Sequence, residues 1–311
     1  MLRSLSARSL ASLVLVSGLL GQGTDPERQP MTAAARAGVP GRFIRLSDGV
    51  THAELAGPQH GPVVVLAAGF SVPSYIWDSL YQRLADSGFR VIRYDYYGRG
   101  WSDRPDTRYD QALYVRQLSG LLDSLKIRQP INLAGLSFGG TVVTSFVAAH
   151  PERVGRLIYV DPVFNASRTL PPEERTAEAW TRYMVQGGGT EAMATGQLED
   201  FLHPERHPDW VERYRVQQRF IGTRESLRRT RADIAVAPPQ APVLRRLGAT
   251  ALPVLVVWGR QDRTVPFSNS RALLEAMPRA TFVPVDSAGH LPHIEQPAVV
   301  AGAVVRFLRG H

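Results

Sequence analysis

INLAGLSFGGTVVTSFVAAH, residues 131–150, is the stretch whose reading decides the fold. It begins as a short apolar run, Ile131 to Ala134, suited to a strand buried on both faces. It ends as an amphipathic pattern over 138–150, suited to a helix. Gly135-Leu136-Ser137-Phe138-Gly139-Gly140 joins the two and places G-x-S-x-G at a sharp turn from strand to helix. Glycines two before and two after the serine remove Cβ atoms that would collide with neighbouring strand and helix. Such a turn holds Ser137 in a strained conformation and lifts its Oγ to the carboxyl end of the sheet. The helix N-terminus beneath favours developing negative charge. Ser137 is thus the candidate nucleophile, and a mere tight turn is the bland alternative.

The same alternation extends outward. Strand-like runs occupy 62–68, 90–94, 156–160, 253–258 and 281–285, and helical patterns occupy 75–87, 110–126, 268–277 and 295–308. Strands and helices in alternation at this spacing predict an α/β fold, with a mostly parallel central sheet and helices on both faces. Between Asp161 and about Leu252 no strand pattern occurs. Because strands resume afterwards, the stretch reads as a helical insertion. The expected organisation is a core of 42–161 and 253–311, a helical cap or lid at 162–252, and a linker at 24–41.

A nucleophilic serine needs a base, and the base needs an orienting carboxylate. His290, in the loop after the run 281–285, is the favoured base, with His293 its rival. Asp262, in Gly259-Arg260-Gln261-Asp262 after the run 253–258, is the favoured acid, with Asp161 its rival. The order Ser137…Asp262…His290 suits a sheet-edge triad. An oxyanion hole needs two backbone N–H groups aimed at one point. Phe138 and, in the turn Ala68-Gly69-Phe70-Ser71, Phe70 are the candidates.

These motifs, with Asp95-Tyr96-Tyr97-Gly98-Arg99-Gly100-Trp101-Ser102-Asp103, resemble the α/β-hydrolase superfamily over roughly residues 42–310. The likeness is to its esterase and monoacylglycerol-lipase-like branch; carbon–carbon bond hydrolases and enol-lactonases are similar too. Many relatives carry His-Gly where this chain has Ala68-Gly69, a change that leaves the backbone donor in place. The resemblance implies a carboxylic-ester hydrolase working through an acyl-enzyme on Ser137, with no metal or organic cofactor and a small-molecule ester as substrate. The alternatives are a C–C hydrolase or enol-lactonase with the same triad, and a noncatalytic binding protein on this scaffold. Cofactor-free haloperoxidase-like enzymes share the triad as well. Epoxide hydrolases and haloalkane dehalogenases use an Asp nucleophile, and Ser137 speaks against both. The turn 95–102 is structural in the family, so no chemistry is assigned to it. Trp77, Trp180, Tyr183 and Met184 are expected to line the substrate pocket, against the plainer reading that the rings form the lid's own core.

Composition bounds the rest. The 311 residues are 44% hydrophobic and carry a net charge of +8, with no cysteine. Disulfides, thiolate chemistry, cysteine-ligated zinc and a lipoprotein anchor are excluded. Residues 1–23 combine Arg3 and Arg8 with the apolar run 11–20 and small residues, the pattern of a signal peptide. That pattern implies secretion or the periplasm; a true start at Met31 would imply the cytoplasm. Of 36 basic residues all but Lys126 are arginine, and ten lie within 206–246 against four acids. With no nucleic-acid motif there, the excess reads as a solvated lid face, or as a surface for weak association with anionic membranes.

Overall fold

A computed structural model of the chain describes residues 25–164 and 170–310. The expected leader lies outside the described residues. Among them, no helix is long and apolar enough to cross a membrane.

The apolar runs assemble into one eight-stranded sheet. Its strands are β1 (Arg42–Arg45), β2 (Val50–Ala56), β3 (Val63–Ala67), β4 (Arg90–Tyr94), β5 (Ile131–Leu136), β6 (Val154–Val160), β7 (Val254–Gly259) and β8 (Thr281–Val285). Their spatial order is β1-β2-β4-β3-β5-β6-β7-β8. From β4 to β8 all pairs are parallel, whereas β2 runs antiparallel to both β1 and β4. Strands β3, β5 and β7 are buried at every position. Helices cover both faces of a parallel sheet, so its central strands need apolar side chains on both sides. Each fully buried Val or Leu there contributes about 1.5–3 kcal/mol. The hairpin β1–β2 is absent from the expectations above. Its strands lie at the sheet's edge and do not form continuous apolar runs, and the signal in the sequence was the Asp48-Gly49 turn.

The helices of the first half are α1 (Asp78–Asp86), α2 (Gln111–Ser124) and α3 (Phe138–Ala149). Helix α2 begins where the Asp110 carboxylate accepts the Leu113 N–H at 2.9 Å, a cap worth about 0.5–2 kcal/mol. It buries Leu113, Tyr114, Gln117, Leu118, Leu121 and Leu122 along one stripe. Between β6 and β7 come α4 (Pro172–Arg175), α5 (Ala177–Val185), α6 (Gly189–Thr195), α7 (Trp210–Gln218), α8 (Thr223–Val236) and α9 (Ala241–Gly248), with no strand among the described residues. Helices α10 (Ser270–Ala276), α11 (Pro292–Glu295) and α12 (Pro297–Arg309) complete the chain.

The segment before β1 is docked rather than a free linker. Arg28 and Gln29 donate to the Arg219 carbonyl, and Ile221 donates back to Gln29. The Glu27 carboxylate accepts N–H groups of Gly222 and Arg224, and Asp25 pairs with the Arg224 guanidinium. The acids of this segment thus meet part of the arginine excess. Arg213, Arg215, Arg228, Arg229 and Arg231 also pair with carboxylates.

The strand order places the site. Successive strands proceed to one side from β3 to β4, then jump back across β3 to β5. At such a switch point two turns diverge and leave a crevice at the carboxyl ends of the strands. Here they are the turn after β3, which carries Phe70, and the turn after β5, which carries Ser137.

Candidate active site

Ser137 sits at φ 53°, ψ −120°, a left-handed conformation that costs a non-glycine residue about 1–3 kcal/mol. Its surroundings hold it there. The Ser137 N–H donates to the Val160 carbonyl at 3.0 Å, and its own carbonyl accepts from Gly140 and Val163. The flanking glycines are required by close approach. A Cβ on Gly139 would lie 2.5 Å from the carbonyls of both Ala67 and Ala68, and one on Gly135 would lie 2.5 Å from the Gly139 carbonyl. The turn after β3 is equally near: a Cβ on Gly69 would stand 3.7 Å from the Ser137 Cβ. The Phe70 N–H of that turn has no hydrogen-bond partner among the described residues. Phe138, the first residue of α3, has an N–H with no acceptor inside the helix. Both candidate oxyanion donors therefore flank the candidate nucleophile.

The carboxyl ends of β6, β7 and β8 supply the other groups. His290 Nδ1 lies 2.8 Å from Asp262 Oδ2, and both residues are buried. The other Asp262 oxygen accepts the N–H groups of Thr264 and Val265 at 2.9 and 2.8 Å. Those bonds stabilise a carboxylate and fix its direction. Burial works to lower the His290 pKa, but the Asp262 carboxylate outweighs it and leaves the imidazole above its ordinary value. With Nδ1 turned to Asp262, Nε2 is the ring nitrogen left for chemistry; no described residue bonds it.

The two rivals settle into other roles. His293 is fully buried, its ring centroid 4.6 Å from that of Trp77, with Nε2 against the Ile76 carbonyl at 2.8 Å. Burial lowers its pKa to about 4, so it is neutral and committed to packing. Asp161 follows β6 at φ 43° and accepts the Gly259 N–H at 2.9 Å through Oδ1. Its Oδ2 is buried without a partner. Burial first, then the neighbouring Asp262 charge, pushes its carboxyl well above the ordinary range. Asp161, Asp262 and His290 present oxygen and nitrogen atoms within 4.8 Å of one another, as a metal site would. Yet His290 Nδ1 and Asp262 are already bonded to each other, and of the four carboxylate oxygens only Asp161 Oδ2 accepts no hydrogen bond, which is a poor donor set for a cation.

Sequence reasoning missed two acids around the base. The Glu295 carboxylate accepts the Gly289 N–H at 2.6 Å, together with those of Leu202 and His203. The His290 N–H donates to the Asp200 carbonyl at 2.8 Å, and the Asp200 carboxylate accepts from Thr264. The loop bearing His290 is thereby tied to the inserted segment. Neither acid stands in a recognisable pattern, and only the tertiary contact reveals them.

The four residues expected at the pocket divide. Trp180 and Met184 are buried together with Leu227, and Phe70 packs against that cluster. The inserted helices thus reach the turn after β3. Tyr183 is 37% exposed, because on α5 it lies off the stripe formed by Trp180 and Met184. Trp77 is a core residue against His293.

The model of the alpha/beta hydrolase family matches residues 64–303. The 2-hydroxymuconate semialdehyde hydrolase of Pseudomonas sp. (strain CF600) is 31% identical over 249 residues, 75% of this chain and 80% of that protein. A thermophilic esterase from Thermogutta terrifontis superposes with a TM-score of 0.74 at 26% identity, covering 86% of this chain and 98% of its own. The enol-lactonase from Burkholderia xenovorans LB400 gives 0.72 at 26% identity, covering 86% and 100%. With its sheet order, its strained serine turn and this match, the chain belongs to the alpha/beta hydrolase family.

Proposed function

We propose that this hydrolase cleaves carboxylic esters through an acyl-enzyme on Ser137. His290 Nε2 takes the Ser137 proton as Oγ attacks the ester carbonyl. Asp262 holds the imidazole tautomer and stabilises the imidazolium. The N–H groups of Phe70 and Phe138 receive the oxyanion, each worth about 3–4 kcal/mol in such a role. His290 then protonates the leaving alcohol and activates the water that releases the acid. One observation carries this reading: a buried, carboxylate-oriented histidine with its second nitrogen unengaged, at the same sheet edge as a serine held in a strained turn.

A second reading keeps the triad and changes the bond. The 31% identical relative is named a 2-hydroxymuconate semialdehyde hydrolase, and a structural neighbour is an enol-lactonase. Turnover of a p-nitrophenyl butyrate ester beside that of a ring-cleavage product separates the two. The ester reading expects the ester to be the better substrate by kcat/KM. A clear preference for the ring-cleavage product would replace it with the second.

A further inference from the structure

Arg99 lies in the turn between β4 and α2, to which the sequence analysis assigned no chemistry. Its side chain is fully buried, yet among the described residues no carboxylate pairs with it. Burying a guanidinium without a counter-charge is expensive, so every donor needs an acceptor. Nε donates to the Phe70 carbonyl at 3.0 Å, and Nη2 donates to Thr230 Oγ1 on α8 at 3.0 Å. Nη1 makes longer bonds, both 3.4 Å, to the Tyr97 carbonyl and to Ser226 Oγ on α8. The charge also lies 5.4 Å from the centre of the Phe70 ring.

Gln217 on α7 repeats the arrangement one residue along. It is 2% exposed, its Nε2 donates to the Ser71 carbonyl at 2.7 Å, and its Oε1 accepts the Gly100 N–H at 3.2 Å. Two successive carbonyls of the turn after β3 are therefore held by buried side chains, and the inserted helices hold each tie. The Phe70 carbonyl and N–H flank one Cα. Holding the first anchors the peptide plane on one side of that Cα and narrows the φ and ψ through which the second can swing.

We propose that Arg99 and Gln217 are positioning residues that make the aim of the Phe70 N–H depend on the seating of α7 and α8. Displacing those helices releases both carbonyls and spoils the oxyanion hole, so full activity belongs to the closed arrangement alone. The inference rests on Phe70 serving as an oxyanion donor, as in the proposed function. A purely structural role would lower stability without separating kcat from KM.

The test compares Arg99→Met, Arg99→Lys and Gln217→Leu with the native protein and with Arg229→Ala, which alters a residue of α8 paired outward to Glu225 and Asp106. Three quantities are read: kcat and KM for p-nitrophenyl acetate, affinity for an alkyl boronic acid whose serine adduct mimics the tetrahedral oxyanion, and hydrogen exchange of the backbone over residues 66–76. In Arg99→Met and Gln217→Leu, kcat should fall about 10- to 100-fold, the scale of a misplaced donor. KM should stay within about threefold, boronate affinity should fall with kcat, and exchange over 66–76 should quicken about tenfold. Arg99→Lys should recover part of each effect, and Arg229→Ala should match the native protein. Native exchange in folded variants would overturn the proposal, and so would a loss confined to KM with boronate affinity retained. If the native protein neither hydrolyses esters nor binds boronate, the ester reading fails, while exchange still tests the tie between helices and turn. Should the Arg99 variants not fold, Thr230→Val removes the outer anchor of Arg99 together with the contact to the Tyr114 hydroxyl, and Tyr114→Phe removes that second contact alone; only the first should lower kcat and quicken exchange, by about threefold.

Discussion

Among the described residues, two buried histidine–aspartate pairs have the same length. His290 faces Asp262, and His52 faces Asp95, each with Nδ1 and Oδ2 2.8 Å apart. They differ at the other ring nitrogen. His52 Nε2 lies 2.8 Å from the Pro40 carbonyl. Both its nitrogens face acceptors, so both are served best by carrying protons. It is a clamp that joins the segment before β1 to the turn after β4, where Asp95 also accepts the N–H groups of Ser74 and Trp101. His290 Nε2 has no such tie. A carboxylate-bound histidine is thus not in itself a catalytic group; in the proposed function, the unspent nitrogen and the serine at the same edge make it one.

That contrast can be broken by mutation. Ser137→Ala should cut kcat/KM for p-nitrophenyl butyrate by about 10⁴-fold or more with the melting temperature unmoved; retention of more than about 1% of activity would remove Ser137 from its role. Asp262→Asn should cost roughly 10³- to 10⁴-fold by fixing the wrong tautomer, measured in the same assay. His52→Gln should show the reverse pattern. Unpairing the buried Asp95 should cost about 3–5 kcal/mol in urea unfolding, with kcat per folded molecule within about threefold. Activity loss without stability loss in that variant would erase the distinction between the pairs.

Acidity sharpens the same comparison. Against the lowering effect of burial, Asp95 leaves the His52 pKa raised, as Asp262 does for His290. Catalysis needs neutral His290, so kcat/KM should rise with pH through an apparent pKa above 6.5. The stability contributed by His52 has the opposite sign. It is full below the unfolded value of about 6.5 and is lost as pH rises through the raised folded value. Activity should therefore grow and stability shrink as pH rises above about 6.5, which parallel rate and urea-unfolding profiles would record. Asp161→Asn should have the smallest effect. The Asp161 carboxyl binds its proton more tightly in the folded state than in the unfolded one, so stability is lost as pH climbs from the unfolded carboxylate value toward the folded one. The amide supplies an N–H where the acid supplies an O–H. Activity should stay within about threefold, and urea unfolding should show less loss of stability with rising pH than in the native protein.

The parallel core was legible because β3, β5 and β7 are buried on both faces and read as unbroken apolar runs. The Asp262–His290 pair was legible because each member follows a strand, as the candidate nucleophile Ser137 also does. The edge hairpin was not, since its residues form no such run. The ties of Arg99 and Gln217 were not legible for another reason. Their partners, Thr230 and Ser71, stand more than a hundred residues away, and polar groups buried by tertiary contact leave no periodic trace. Tyr183 shows the limit of composition: an aromatic residue in the inserted segment can face outward, and helical phase decides which does.

The central claim is that Ser137 carries the nucleophile, and reaction with a fluorophosphonate probe followed by mass mapping of the adduct tests it most directly. A single adduct on Ser137, absent in Ser137→Ala and slowed strongly in His290→Gln, is the predicted result. A folded protein that takes up no probe, or takes it up at another residue, would contradict the account.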